Sequence, residues 1–362
     1  MRKSIDNKNI TVLVGISGGV DSAVCALKLK QAGYQVVGAM MKVYDGDIKT
    51  IANSCYGTDK NKEIEDAKKI CSKIGIDFHL IDCAEAFDKY VFKKFKEEYK
   101  CGRTPNPCVL CNPLIKFDMF PYLARKSGIE FDKFATGHYA RIEYSKKLDK
   151  FLLKQGINQK KDQSYFLYKL SQEKLKNILF PLGELEKGEV RFFAKENGLI
   201  VHDKTDSQDF YKGNYAEIID AKENQGNIRH INGKILGIHN GIFNYTIGQR
   251  KGLKIAHEYP LYVIKFDLNK NEVIVGEKEY TYSKGLFAND ICWTFYDDIP
   301  DKLHASAKIR SAGQKTECCI YREENGLRVE FFESQNAITP GQAVVFYDND
   351  TVLGGGTIKY AL

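Results

Sequence analysis

The stretch GISGGVDSAV, residues 15–24, constrains the fold of this chain more than any other. It follows an apolar run from Thr11 to Gly15 and precedes a helical pattern, so it predicts a strand, a glycine-rich turn and a helix start. A turn of this kind holds phosphate. Gly18 and Gly19 lack the Cβ that would block close backbone approach, and Ser17 and Ser22 offer hydroxyls. The helix that follows directs N–H groups and its positive dipole end at an anion. Asp21 sets a carboxylate beside the phosphate nest, which predicts an indirect Mg²⁺ contact. The segment lacks the GKS or GKT ending of a Walker loop and the G-x-G-x-x-G spacing of a dinucleotide fold.

Around this turn, the first 200 residues alternate strand-like and helix-like patterns. TVLVGIS is followed by a helix through Leu29 ending near Gly33, YQVVGAMMKVY by a helix around Glu63–Ile74, and DFHLIDC by a helix over Ala84–Tyr99. Phe131–Ala140 reads as one further buried strand, and Glu189–Asn197 as a late helix stopped by Gly198. The alternation predicts an α/β domain with a parallel sheet, helices on both faces, and the phosphate turn at the carboxyl ends of the strands. After about residue 203 the pattern changes. GKILGIHNG, YPLYVIKFD, NEVIVGE, HASAKIR, LRVEFFE and QAVVFYD are short β-prone runs punctuated by turns, which predict a small β-rich middle module and a C-terminal β-barrel.

A chain of 362 residues is long enough for two or three such cores. It has no uninterrupted apolar stretch of membrane-spanning length. MRKSIDNKNI has no apolar core or small-residue cleavage site, so a cytoplasmic protein without a membrane partner is expected. Ten cysteines in that compartment are expected as thiols, cluster ligands or catalysts rather than structural disulfides. Lysine plus arginine exceed aspartate plus glutamate by 54 to 47, a mild excess compatible with an RNA partner.

The second chemical feature is GRTPNPCVLCN, residues 102–112. Its prolines and glycine predict a rigid non-helical loop presenting Cys108 and Cys111 at C-x-x-C spacing. A zinc ribbon would need a second pair at similar spacing, which Cys318 and Cys319 do not supply. A thioredoxin-like pair would open the first helix after a strand, and this one does not.

Together, GISGGVDSAV, Met40-Met41-Lys42, RTPNPCVLCN with the following IKFD, ATGHYAR, KKDQSYFLY, FPLGELEK, TIGQRKGL, TPGQAVVFY and the closing GGGTI resemble the tRNA-specific 2-thiouridylases, collinearly over nearly the whole chain. The resemblance implies a PP-loop domain of the adenine nucleotide alpha hydrolase-like, Rossmann-like class over 1–203. A central tRNA-binding domain over 204–278 and a C-terminal β-barrel over 279–362 would follow it. It implies adenylation by ATP of the C2 oxygen of the wobble uridine in tRNAs for lysine, glutamate and glutamine, then sulfur transfer, with release of AMP and pyrophosphate. Gly15, Ile16, Ser17, Gly18, Gly19, Val20, Asp21, Ser22 and Met41 would bind ATP, with Gly137 closing the nucleotide site. His138, Lys161, Asp162, Gln163, Arg310, Ser311 and Gln342 match positions that touch tRNA. Asn106, Pro107 and Cys108 would line the pocket for the target base, and Arg250 and Lys251 are candidates for phosphate contacts. On the residues alone, His138 also reads as a hydrogen-bonded strand-end histidine, and Lys161–Gln163 as a helix-start turn capped by Asp162. Another adenylating PP-loop tRNA-modifying enzyme and a non-catalytic tRNA-binding relative are the alternatives. The former has no need of the C-x-x-C loop, and the latter would not retain the phosphate turn and Cys111.

The chain departs from the family pattern where sulfur is handled. Many members have aspartate at the Cys108 position. After DSQ, where the family usually runs on as D-I-C-F with a persulfide-bearing cysteine, this chain reads DSQDFYKGNYAEI, residues 206–218, shortened and without cysteine. Cys111 remains at the nucleophile position, so Cys111, Cys108 and Asp21 are the expected catalytic residues. A sulfur donor such as a cysteine desulfurase or sulfur-relay protein is the implied partner. Two routes stay open: a persulfide on Cys111 resolved by Cys108, or a [4Fe–4S] cluster held by Cys55, Cys108 and Cys111. Cys25, Cys71 and Cys83 are expected as small core residues, and Cys101 lies at a helix end.

Overall fold

The computed structural model describes residues 7–44, 60–199, 201, 218–219 and 223–362. Cys55 and residues 206–217 lie outside them. The chain divides into two compact units: Met1–Val91, Cys108–Gly213 and Asp350–Val352 form one, and Phe92–Pro107, Asn214–Asn349 and Leu353–Leu362 the other.

The first unit is built on a parallel sheet. Its strands are β1 (Thr11–Gly15), β2 (Gln35–Lys42), β3 (Asp77–Asp82), β4 (Lys133–Ala135) and the two-residue β7 (Ile178–Leu179), in the order β3-β2-β1-β4-β7. Val12, Leu13 and Val14 are all buried, as expected for a central parallel strand covered on both faces. Val12 and Val14 join Ala23, Val24 and Cys25 of α1 (Val20–Gln31) and Ala67, Ile70 and Cys71 of α2 (Lys60–Ile74) in one core. Toward the other face, Phe117 and Phe120 pack edge-on against Phe134 at 5.6 and 5.7 Å. β1 therefore has β2 on one side and β4 on the other, the reversal of strand order at which α/β sheets open a crevice beyond their carboxyl ends.

Four predicted segments differ. Ala84–Tyr99 is helical throughout but is not one α-helix: α3 (Ala84–Phe87) passes through a π-helical turn at Asp88–Phe92 into α4 (Lys93–Lys100). The cysteine segment is a helix rather than a loop. α5 spans Pro107–Cys111 and continues through a π-helical stretch, Asn112–Met119, into α6 (Phe120–Lys126). Pro107 stands at the first helical position, where no backbone donor is needed, so it starts the helix instead of breaking it. The strand expected over Phe131–Ala140 stops at Ala135. Thr136–Tyr139 leave the sheet, and β5 (Ala140–Ser145) begins an antiparallel hairpin with β6 (Lys150–Gln155). Behind it come α7 (Gln172–Asn177) and α8 (Lys187–Glu196). A reciprocal capping box between Glu186 and Glu189 starts α8 two residues earlier than predicted.

In the second unit, β8 (Gly226–His230), β9 (Ile235–His239), β10 (Tyr262–Asp267) and β11 (Glu272–Gly276) form a sheet ordered β10-β11-β8-β9. Six further strands, β12 (Tyr282–Trp293), β13 (Lys302–Lys308), β14 (Thr316–Glu323), β15 (Gly326–Asn336), β16 (Ala343–Asp348) and β17 (Thr351–Ala361), run in the order β12-β15-β14-β13-β16-β17. Pairing of β12 with β17 closes them into a barrel. The glycine run of residues 354–356 lies within β17: a Cβ on Gly354 would lie 2.5 Å from Cys292 O, so only glycine lets the two strands meet there. Among the described residues, no helix is long and apolar enough to cross a membrane.

Candidate functional site

The predicted phosphate turn is present at the carboxyl end of β1. Ile16 N–H donates to Ala39 O of β2 at 2.7 Å, and Gly18 adopts φ +72°, a left-handed conformation suited to glycine. Ser22 Oγ organises the turn, accepting from Ser17 N at 3.1 Å and donating to Gly19 O at 3.1 Å, with Ser17 Oγ 3.2 Å away. The N-cap of α1 is Gly19, which brings no side chain of its own to the first turn. Met41 lies half-buried near the end of β2. Gly137 follows β4 and rests directly on the turn: a Cβ there would be 2.7 Å from Asp21 C, 2.9 Å from Asp21 O and 2.9 Å from Ser22 N. The predicted loop and its closing glycine are thus brought together by the crevice between β1 and β4. Backbone donors, two hydroxyls and a closing glycine with no room for a side chain fit a nucleotide phosphate chain.

Asp21 is engaged in a way the sequence reading missed. Its carboxylate accepts from Lys187 Nζ at 2.7 Å (Oδ1) and 2.8 Å (Oδ2), and from Tyr139 OH at 2.8 Å. Tyr139 and Lys187 were visible only as parts of ATGHYAR and FPLGELEK. The E-x-x-E capping pattern around residue 187 was the available signal that it opens a helix.

His138 lies beside this cluster and is buried. Its Nδ1 is 2.7 Å from Thr136 Oγ1, and its ring packs against Phe117 and Phe180. Burial, reinforced by the Lys116 ammonium, holds its pKa well below the usual histidine value, so the ring is neutral. The hydrogen-bonded strand-end reading therefore describes it as it stands. Asp162 is likewise a local organiser, accepting from Gln155 Nε2, Gly156 N, Ser164 N and Ser164 Oγ at 2.8–3.1 Å. Gln163 and Tyr139 are locked by reciprocal bonds: Tyr139 N donates to Gln163 Oε1 at 3.0 Å, and Gln163 N to Tyr139 O at 2.9 Å. Asn158 accepts from Lys161 N through both its carbonyl and its side chain, fixing the backbone at Lys161.

Cys108 and Cys111 stand on consecutive turns of the helix that begins at Pro107, each partly exposed. Side chains at this spacing share a face, with Cβ atoms about 5–6 Å apart. Asn112, buried next to Cys111, donates to Cys108 O at 2.9 Å, while its Oδ1 has no hydrogen-bond partner. Cys25, Cys71 and Cys83 are core residues as expected, and burial raises the thiols of Cys71 and Cys83 to about 12. Cys101 is exposed at the C-cap of α4. No group of three or more potential metal ligands occurs among the described residues. The third ligand considered for a cluster, Cys55, lies outside them.

In the second unit, Gln342 Nε2 donates to Thr104 O at 2.6 Å and Thr104 N to Pro340 O at 2.9 Å, so the TPGQ turn holds the irregular segment that leads to Asn106 and Pro107. Asn106 is half-buried and Pro107 buried. Arg310 is exposed, with Nη2 donating to Asn336 O at 2.6 Å, and Ser311 is partly exposed. Arg250 and Lys251 are both exposed on a turn held by Gln249, whose Oε1 accepts from Thr246 N and whose Nε2 donates to Lys251 O, each at 3.0 Å.

A nucleotide-type phosphate turn on a parallel sheet, followed by two β-rich modules, defines a modular α/β enzyme class, and comparison with known proteins refines it. Family profiles described as tRNA methyl transferase HUP domain, tRNA methyl transferase PRC-barrel domain and Aminomethyltransferase beta-barrel domain match residues 10–211, 216–277 and 283–358. The tRNA-specific 2-thiouridylase MnmA of Endomicrobium trichonymphae is 45% identical over 354 residues, covering 96% of this chain and 98% of that one. Its counterpart in Clostridioides difficile (strain 630) is 42% identical over 363 residues, covering 98% and 99%. Among solved structures, the U34-tRNA thiolase NcsA from Methanococcus maripaludis with its [4Fe-4S] cluster is 19% identical with a TM-score of 0.36, covering 60% of this chain and 66% of that one, too distant to bear on function. The chain belongs to the tRNA-specific 2-thiouridylase family.

Proposed function

We propose that this chain, a tRNA 2-thiouridylase, adenylates the C2 oxygen of the wobble uridine in tRNAs for lysine, glutamate and glutamine and replaces that oxygen with sulfur carried on Cys111. The observation that carries the ATP half is the turn Gly15–Ser22 closed by Gly137 with no space for a side chain. A uridine C2 oxygen is a poor leaving group. Attack of that oxygen on the α-phosphorus of ATP expels pyrophosphate and converts it into one that departs as AMP. Ser17, Ser22 and the backbone donors of the turn would hold the phosphates, and catalysis there is positioning and charge stabilisation. Mg²⁺, when bound, would neutralise charge on the departing pyrophosphate, and Asp21 is the carboxylate suited to reach it. The base must leave its stack to be reached, and Asn106, Pro107 and Cys108 would line its pocket.

For the sulfur half, the pair on consecutive turns of α5 supports a persulfide mechanism. A donor such as a cysteine desulfurase or sulfur-relay protein loads Cys111 as the persulfide. Its terminal sulfur attacks C2, AMP leaves, and a disulfide links Cys111 to the base. The Cys108 thiolate then attacks the Cys111 sulfur, releasing 2-thiouridine and leaving a Cys108–Cys111 disulfide for an external dithiol to reduce. This uses only the two cysteines the helix presents, in place of the cysteine that the chain lacks after Asp206. His138, Lys161, Asp162, Gln163, Arg250, Lys251, Arg310, Ser311 and Gln342 form the proposed tRNA contact set. Lys161, Arg250 and Lys251 would supply charge, and the buried His138, with Asp162 and Gln342, would act by holding their loops. The three domains correspond to 1–203, 204–278 and 279–362. Nucleoside analysis of tRNA from cells with and without the protein tests the reading: 2-thiouridine derivatives should disappear from the three tRNAs, and their persistence would contradict it.

A further inference from the structure

The contacts of Asp21 bear directly on how a metal–nucleotide complex could load. Both carboxylate oxygens are taken by one ammonium, Lys187 Nζ, at 2.7 and 2.8 Å, and Oδ1 also accepts from Tyr139 OH. The pair is sheltered, with the Lys187 side chain 12% and the Asp21 side chain 29% exposed. The ammonium also lies 5.7 Å from the Tyr139 ring centroid. A divalent cation approaching this carboxylate, directly or through water, meets a positive charge already in hydrogen-bond contact with it. The two cations repel strongly in so sheltered a place. For the ion to be accommodated, the ammonium must move.

The backbone of Lys187 is anchored, while its side chain carries the rotatable bonds through which the ammonium would move. Lys187 is the first residue of α8, and the backbone there is pinned by the Glu186–Glu189 capping box. Glu186 Oε2 also accepts from Asn158 Nδ2 at 2.6 Å. A four-carbon stem on a fixed backbone can swing its ammonium several ångströms by rotamer change alone. The nearest chemistry that would attract it is the anion arriving on the adjacent turn, whose Ser22 and Gly19 flank Asp21. From this we infer that Lys187 is a positioning residue of the ATP step, held by Asp21 as seen here and exchanging onto the phosphate chain when Mg·ATP loads, so that the carboxylate becomes available to the ion as the ammonium becomes available to the phosphates. The inference rests on the adenylating function proposed above.

Such an exchange has a signature that a merely structural ion pair lacks. Removing the ammonium should favour a bare divalent ion and disfavour the metal–nucleotide complex. In the full-length protein, Lys187→Met should bind Mn²⁺ alone, read by electron paramagnetic resonance, about tenfold or more tightly than the parent. It should bind Mg·ATP, read by calorimetry, about tenfold or more weakly. Lys187→Arg, which keeps the charge, should return both affinities toward the parent values. In Lys187→Met/Asp21→Asn the gain in Mn²⁺ affinity should vanish, locating it at Asp21. If Lys187→Met weakens both ligands, or neither affinity changes, the pair is structural and the exchange is overturned. An unchanged parent that makes 2-thiouridine alongside such a result would leave the thiouridylase reading intact. Opposite shifts in a protein that makes no 2-thiouridine would leave the exchange standing and defeat that reading.

Discussion

Gly137→Ala probes the closure of the phosphate turn with a single carbon. The new Cβ would stand 2.7 Å from Asp21 C, 2.9 Å from Asp21 O and 2.9 Å from Ser22 N, all backbone atoms that cannot rotate aside. Restoring ordinary contact at about 3.5 Å requires the turn and the Thr136–His138 segment to separate by roughly 0.6–0.8 Å. Overpacking of this kind costs about 1–3 kcal/mol of stability. The displaced atoms belong to the residues that orient the turn, since Ser22 Oγ bonds Ser17 N and Gly19 O at 3.1 Å each. Losing one charge-assisted hydrogen bond to a phosphate costs about 1.5–3 kcal/mol, so ATP affinity should fall by about 10- to 100-fold. Calorimetric titration with ATP and denaturant unfolding measure the two effects. Gly188→Ala is the control: nothing lies within 4 Å of its Cβ, and in the first turn of α8 alanine should be neutral or stabilise by up to about 1 kcal/mol. ATP affinity and stability both unchanged in Gly137→Ala would refute the steric argument.

Three further outcomes follow from the same geometry. Cys111→Ser should abolish thiolation while pyrophosphate release persists, and Cys108→Ser should accumulate a protein–tRNA adduct cleaved by thiol, both read by labelled-sulfur transfer and gel mobility. Because His138 is held neutral with its pKa well below 6.5, the unfolded chain binds a proton that the folded one does not in the window between that depressed value and 6.5. Stability should therefore be level above that window and fall as pH drops through it, by at most about 1.4 kcal/mol per pH unit, and His138→Gln should flatten the profile in denaturant melts. Replacing Lys161, Arg250 and Lys251 together by Ala should weaken tRNA binding and reduce the salt slope by about 2–3 in a filter-binding titration. An unchanged slope would place the electrostatic footprint elsewhere.

The phosphate turn was readable from sequence because its chemistry and local structure coincide: small residues, hydroxyls and a following helix are contiguous between residues 15 and 24. The parallel sheet was readable for a related reason, since β1, β2 and β3 are apolar runs separated by helical patterns. What escaped depends on partners distant in sequence. Tyr139 and Lys187 converge on Asp21 from 118 and 166 residues away, and no local pattern encodes that meeting. The helical state of Pro107–Cys111 is not legible in the sequence because a proline that starts a helix cannot be told locally from one that breaks it. β8, β12, β14 and β17 fall outside the six β-prone runs: their polar residues, with the glycines of β8, β12 and β17, blunt the strand signal until neighbouring strands supply the pairing, as Gly354 against Cys292 shows.

In the proposed reaction one chain couples cleavage of ATP at the α-phosphorus to sulfur delivery at C2 of uridine. Single-turnover reaction of the purified protein with ATP, an unmodified lysine tRNA transcript and a persulfide-generating sulfur donor tests it most directly. AMP, pyrophosphate and 2-thiouridine should form in equal amounts, with the sulfur at the wobble position and none formed by Cys111→Ser. ADP with orthophosphate, or thiolation that proceeds undiminished without Cys111, would contradict it.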